Sequence, residues 1–395
     1  MRYVHPMRWL VVAALSCVCT DLARGQSYSE VVVFGDSLSD VGNTANSFFI
    51  SLVAPQARPP YFDGRFSNGP IWAEHLAESF GLDASTRSEE GGTNYAWGGA
   101  LSEDGTNFLG AVDNLGGQVD DYLGDHTPTG DELFLLWGGA NDLIEIGGSL
   151  GALFSGEGTP QSVAGNMSGH MQQLAAAGAQ NILVLNLPNL GDIPRYAGAS
   201  DQQSQNAVAQ AYNTLLAAQV ASIEAQYAVD IDLLDISAMV DLMLNDPARY
   251  GFTNTTEPAY DQDSEQVVAD PTGYVFWDDI HPGALAHEWI ARAAFVALHE
   301  QGDMDGDGWV GAADLDIVLA RWGDTVAPFD LSAGDWNGDG TVGQADLDAV
   351  QANWGGGTPP GPAVPEPAVG VGFLAVFAFF SRNRRTSTPT HDLAR

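Results

Sequence analysis

Residues 31–43 read VVVFGDSLSDVGN. An apolar run, Val31-Val32-Val33-Phe34, ends on Gly35, and Asp36-Ser37-Leu38 follows with a serine at the turn. Three β-branched residues and an aromatic predict a buried strand, and the glycine ends it where the backbone bends sharply. In open α/β sheets, ligands bind in the crevice beyond the carboxyl ends of the strands. A serine just past the first strand is therefore a candidate nucleophile. A loop serine capping the next helix is the other reading, and the stretch alone leaves the two even.

Outward from this stretch, residues 26–300 alternate apolar runs with alanine-rich amphipathic segments, the pattern of an α/β domain. The spacing predicts strands over 31–34, 133–137, 182–187 and 231–234, and helices over 71–80, 161–177, 205–227 and 284–299. Strand, helix, strand in this order implies a parallel sheet with right-handed crossovers. Residues 1–25 read as a secretory signal: Arg2 and Arg8, an apolar stretch, then Ala23-Arg24-Gly25 at the cleavage site. Both cysteines, Cys17 and Cys19, fall inside it, so the exported protein relies on its core rather than on disulfides.

Composition narrows the partners. All 14 basic residues are arginines, and against 51 acids they leave a formal charge of −37. Such a surface repels nucleic acid and anionic membranes, so nucleic-acid binding is excluded as a function class.

Serine-based acyl transfer needs a base, an acid that orients it, and donors for the oxyanion. Asp278 and His281 lie three apart on one loop, so the carboxylate can reach one imidazole nitrogen while the other faces Ser37. Asp279 is the alternative acid, with its side chain expected to point away. The strand over 133–137 ends in Gly138-Gly139-Ala140-Asn141-Asp142, which aims the Asn141 amide into the same crevice. The loop 94–100 carries Gly98-Gly99, where glycine permits close approach to a substrate. Asn141 as a helix cap, Gly98-Gly99 as a plain turn and a structural Asp-x-x-His are the dull readings. Four such features in one domain, in this order, count against them.

These blocks resemble the GDSL-type esterase/lipases of the SGNH hydrolase superfamily. The resemblance rests on Gly35-Asp36-Ser37-Leu38, the glycine Gly99, Gly139-Ala140-Asn141-Asp142 and Asp278 to His281, and it spans nearly all of residues 30–298. The strings over 34–43, 62–69 (FDGRFSNG) and 276–282 resemble its bacterial lipase and lecithinase-like branch. The resemblance implies a flavodoxin-like three-layer α/β/α sandwich with a parallel sheet. It also implies Ser37 as nucleophile, His281 as base oriented by Asp278, and an oxyanion hole from the N–H groups of Ser37 and Gly99 and the Asn141 amide. No cofactor or metal is implied for catalysis. The implied substrate is a carboxylic ester, either a lipid or an acylated carbohydrate. An O-acetyl esterase acting on polysaccharide is the neighbouring reading, and an inactive surface or matrix protein is the reading from another class. The intact site set argues against the last. The long loops 54–69 and 245–274 are expected to line the acyl pocket, the second with an acidic rim of Glu257, Asp261, Asp263, Glu265 and Asp270.

Residues 302–323 and 334–355 align without a gap at a spacing of 32, with 15 of 22 positions identical. Each begins with an acidic twelve-residue loop, Asp303, Asp305, Asp307 and Asp314 in the first, Asp335, Asn337, Asp339 and Asp346 in the second. Oxygen ligands at positions one, three, five and twelve, with glycine at six, fit calcium, the main-chain carbonyls of Trp309 and Thr341 serving position seven. Two calcium ions are expected. Apolar stripes Leu315, Val318, Leu319, Trp322 and Leu347, Val350, Trp354 predict paired helices with a small core. The unit, 301–356, is similar to a type I dockerin, an all-α module, which implies a cohesin-like or extracellular-matrix partner.

A Pro/Gly linker over 357–367 leads to 364–387, where Pro-Glu-Pro, an apolar stretch and an arginine-rich end resemble a PEP-CTERM sorting segment. The uncharged thirteen residues 368–380 make a helix of about 20 Å, short of the roughly 30 Å hydrocarbon core. The resemblance implies transient membrane association during export from a Gram-negative bacterium, followed by delivery to the cell surface or the extracellular space. A retained anchor is the competing reading.

Overall fold

The computed structural model describes residues 28–47, 58–144 and 158–357. Four parallel strands form the central sheet in chain order: β1 (Glu30–Gly35), β2 (Glu132–Trp137), β3 (Asn181–Leu185) and β4 (Asp230–Leu234). The register sets Val33 against Leu135, Leu135 against Leu183, and Leu183 against Asp232. Every residue of β2 is buried, which is why the central strands read as unbroken apolar runs rather than alternating ones. On the free edge of β1, residues 93–97 add a further extended segment through Val33 N–H to Thr93 O (2.9 Å), Tyr95 N–H to Val33 O (2.8 Å) and Trp97 N–H to Gly35 O (3.1 Å). The order segment 93–97, β1, β2, β3, β4 is that of flavodoxin-like sheets. It puts the reversal of strand order beside β1, where such sheets open their crevice.

Helices cover both faces. On one side lie α2 (Leu115–Asp125), α3 (Pro160–Ala177) and α4 (Gln202–Glu224); on the other, α1 (Trp72–Ser79), α5 (Ile236–Asn245) and α6 (Ala284–Ala297). Strand alternation feeds the two layers. Phe34 stacks on Phe134 and meets Tyr122 of α2, whereas Trp137 points the other way onto Trp72 of α1, with ring centroids 5.7 Å apart. The four predicted helices of this domain form within a few residues of their expected bounds. The spacing predicts neither α2 nor α5. Gly116 and Gly117 obscure α2, and the apolar run of β4 continues into α5 with only Asp235 between them. That aspartate is the N-cap, accepting the Ala238 N–H at 3.1 Å, the local signal that separates strand from helix.

Beyond α6 come α7 (Ala312–Ala320) and α8 (Gln344–Ala352). Val318 and Val350 pair as expected, but Leu319, Trp322 and Trp354 are exposed. The small core instead takes in Met304, Val310, Leu331 and Val342, along with Val296 of α6. The far ends of the two apolar stripes overhang this core because each helix is only nine residues long.

The signal segment 1–25, residues 358–367 of the linker and the sorting segment 364–387 lie outside the described residues. Membrane association through the C-terminal segment does not stand: no helix among the described residues is long and apolar enough to cross a membrane.

Candidate active site

Gly35 closes β1 against the end of β2 so tightly that a Cβ there would come within 2.6 Å of the Trp137 carbonyl. The chain then turns, and Ser37 stands at the rim of the sheet, 8% exposed. His281 reaches it from the loop between the strand Tyr274–Phe276 and α6, with Nε2 2.9 Å from Ser37 Oγ. The opposite nitrogen, Nδ1, lies 2.8 and 2.9 Å from the two oxygens of Asp278. Asp278 Oδ1 also accepts the main-chain N–H groups of Ile280 (3.0 Å) and His281 (2.8 Å), a tight turn that fixes carboxylate and imidazole as one unit. Asp278 is fully buried. Burial opposes its charge, but His281, these N–H groups and the Tyr61 hydroxyl together hold its carboxyl below the usual carboxylate range. Asp279 points away, as expected, onto Arg195 at 2.6 Å.

Gly99 and Asn141 meet at the same rim. Asp40 accepts the Gly98 N–H at 2.9 Å as well as the N–H groups of Gly42, Asn43 and Thr44, and so ties the serine turn to the glycine loop. With Gly98 committed to Asp40 and to Thr44 Oγ1 (2.6 Å), the next N–H, that of Gly99, carries no hydrogen bond among the described residues. Gly99 has φ +81°, a conformation natural to glycine. Asn141 donates one amide hydrogen to Ala100 O at 2.9 Å, which leaves the second amide hydrogen for another acceptor. The Ser37 N–H is likewise without a partner among the described residues. The five predicted site residues are therefore assembled at one point. Asp40 and Asn43, which hold this arrangement, were not singled out by spacing. Asn43 Nδ2 donates to both Asn94 O (3.0 Å) and Ala96 O (2.9 Å), and a buried polar pair five and eight residues into the motif turn run is the signal that marks them.

A cavity opens at Ser37, Asn141 and His281 and runs inward between Leu187, Leu190, Ile193, Ile236, Val240, Met243, Leu244, Val275 and Ile290. Its wall is thus α5, α6 and the loop after β3. The described parts of loops 54–69 and 245–274 do not line it. They pack instead behind the triad, Tyr61 and Gln262 on Asp278 and Phe66 against the His281 ring (5.1 Å). α5 follows β4 directly, and its Ile236, Val240, Met243 and Leu244 supply that wall in place of the longer loops.

The family model for GDSL-like lipase/acylhydrolase matches residues 31–294. The chain belongs to this family. GDSL-like lipase/acylhydrolases are serine hydrolases of carboxylic esters, and the chain is one of them. Among curated relatives, it is 27% identical to the phosphatidylcholine-sterol acyltransferase of Aeromonas hydrophila, over 70% of this chain and 91% of that protein. It is 28% identical to the thermolabile hemolysin of Vibrio parahaemolyticus, over 67% of this chain and 62% of that protein. A solved GDSL-family lipolytic protein from Veillonella parvula aligns over 67% of this chain and 95% of its own at 14% identity, with a TM-score of 0.37. The family match ends at 294, so the cohesin-like or matrix partner expected from the repeats draws no support from it.

In those repeats, the carboxylates of Asp303, Asp305 and Asp307 bring ligand oxygens within 4.8 Å of one another. Asp335 is fully buried with Oδ1 unpartnered, and burial pushes its carboxyl up to about 7. Asn337 and Asp339 face each other at 3.1 Å. Asp314 and Asp346 accept main-chain N–H groups at both oxygens, closing the ends of their loops. At position seven, Trp309 and Thr341 donate their N–H groups to Asp307 (2.9 Å) and Asp339 (2.7 Å). Crowded hard oxygens and an orphaned buried carboxylate oxygen fit a calcium-type cation. The second loop also docks on the catalytic layer: Tyr250 donates its hydroxyl to Gly338 O at 2.6 Å, and Arg249 bonds Asp339 O and Thr341 Oγ1.

Proposed function

We propose that this GDSL-family hydrolase cleaves lipid-type esters with long acyl chains, using Ser37 as nucleophile, His281 as general base and Asp278 as the acid that orients it. The observation that carries the reading is the hydrogen-bonded line Ser37–His281–Asp278 at the mouth of an apolar cavity. Ser37 Oγ attacks the ester carbonyl while its proton passes to His281 Nε2, and Asp278 balances the imidazolium that forms. The oxyanion receives the free N–H groups of Ser37 and Gly99 and the second amide hydrogen of Asn141. Collapse breaks the ester C–O bond, His281 returns the proton to the leaving alcohol, and water activated by the same imidazole then releases the acid from Ser37.

The carboxyl ends of β1 and β2 set the reacting groups, and the apolar wall of α5 and α6 receives the acyl chain, excluding water from it. The acidic loops at 303–314 and 335–346 would hold calcium through Asp303, Asp305, Asp307, Asp335, Asn337 and Asp339. Calcium there would supply cross-linking charge within the repeat unit 301–356 and no part of the ester chemistry. Residues 1–25 act as an export signal in this reading, in keeping with a secreted enzyme.

The test is hydrolysis of p-nitrophenyl esters from acetate to palmitate. Turnover that persists from octanoate to palmitate, and is abolished by Ser37→Ala, is the expected result. Activity confined to acetate would replace the lipid reading with an O-acetyl esterase, and an active alanine variant would overturn the triad.

A further inference from the structure

Asp278 receives more hydrogen bonds than orienting a histidine requires. Its Oδ1 already accepts two main-chain N–H groups and faces the imidazole. Its Oδ2 additionally accepts the Tyr61 hydroxyl at 2.8 Å and the Gln262 amide at 3.1 Å, and Gln262 also donates to the Tyr61 oxygen at 2.6 Å. The two come from separate loops, 217 and 16 residues from Asp278 in sequence. Tyr61 is buried and edge-on to Tyr260 (5.5 Å) and Trp277 (6.0 Å), in a small apolar cluster apart from the main core. This packing holds the ring away from solvent with its hydroxyl directed at the carboxylate.

Neutral donors on a buried carboxylate act in two ways. They keep it ionised, and they draw charge away from the oxygen that faces the imidazole, weakening its hold on the imidazolium. We propose that Tyr61, braced by Gln262, is a positioning residue that tunes how strongly Asp278 favours protonated His281, and so sets the acid limit of hydrolysis. The inference rests on the triad assignment made under Proposed function. Other charged groups act on the pair from other sides: Asp36 from the serine turn, with Asp142 behind it, and His287 from α6. The Arg195–Asp279 ion pair sits one residue from Asp278, and Tyr260 faces it from the same cluster as Tyr61. None of these hydrogen-bonds to Tyr61 among the described residues, so its removal leaves them in place.

The experiment is the pH profile of kcat/KM for p-nitrophenyl butyrate with full-length wild type, Tyr61→Phe, Gln262→Leu and Ser37→Ala. Tyr61→Phe keeps the ring and its packing and is expected to move the acid limb up by about half to one pH unit, the scale of one neutral hydrogen bond. Gln262→Leu, on an exposed hairpin, is expected to move it in the same direction by less, and carries the test if Tyr61→Phe does not fold. Variants that titrate along the wild-type acid limb, whatever their plateau rate, would show that the two side chains only pack, and would overturn the proposal. If Ser37→Ala still hydrolyses the ester, the triad reading itself fails and this inference with it. An inactive Ser37→Ala beside unshifted profiles sinks the tuning role alone.

Discussion

Asn141 spends one amide hydrogen on Ala100 O and keeps the other facing the crevice. Asn141→Ala is therefore expected to lower kcat about 100-fold or more with little change in KM, because the lost donor serves an oxyanion and not the ground-state carbonyl. Steady-state kinetics check it, and a loss confined to KM would remove Asn141 from the oxyanion hole. Asp36, next to the serine, behaves differently. Burial pushes its carboxyl up to about 7 from 3.8, so the folded protein holds a proton that the unfolded chain has released. The stability this proton supplies is full below the unfolded value and is lost as pH rises through about 7. Asp36→Asn is neutral throughout and should flatten the fall in urea midpoint between pH 5 and pH 8. An unchanged fall would place the titration elsewhere, for instance on Asp142, which burial raises to about 6.

Among the elements, α5 lines most of one wall of the cavity beside Ser37. Ile236, Val240, Met243 and Leu244 line the cavity along the successive turns of one helix face, and Asp235 starts that helix so that this face meets the end of β3. Val240→Trp should fill the cavity part-way down without touching Ser37, lowering kcat/KM for palmitate by 10-fold or more while sparing acetate. The chain-length series measures it, and an equal loss on both esters would mean that the helix had shifted rather than the cavity shortened. The loops 58–69 and 259–268 serve a different end, holding Asp278 and His281 from behind. Long, aromatic loops beside an active site invite assignment to the substrate pocket. Here Tyr61 and Tyr260 pack on each other and on Trp277, while Phe66 packs on the His281 ring.

Across the whole molecule, the repeats and the catalytic layers share structure. Val296 of α6 enters the core of the repeats, and Tyr250, five residues beyond the end of α5, is pinned between the Gly338 carbonyl and the indole of Trp289 (5.5 Å). With a formal charge of −37, the chain gains from any divalent cation that neutralises the acidic loops. Calcium is expected to raise Tm by several degrees in calorimetry, and Tyr250→Phe to reduce that increment by uncoupling the second loop from the catalytic layer. A calcium-independent Tm would refute the calcium assignment, and an undiminished increment in the variant would refute the coupling.

The parts that could be read directly are those whose signal is local. A buried strand, a glycine stop and a serine turn lie within eight consecutive residues, and Asp278 and His281 share one loop, so backbone geometry alone brings each set together. The parallel sheet was legible for the same reason, since strands buried on both faces write themselves as unbroken apolar runs. Apolar runs lose their meaning at β4 and α5: both are apolar, and periodicity over so few residues does not separate strand from helix. The chain's periodicity likewise carries nothing about which loop touches Asp278. Tyr61 and Gln262 reach it across 217 and 16 positions, and neither contact is encoded by spacing. Both exist because the folded chain brings these two loops together behind Asp278, while α5 supplies the wall of the cavity in front of Ser37.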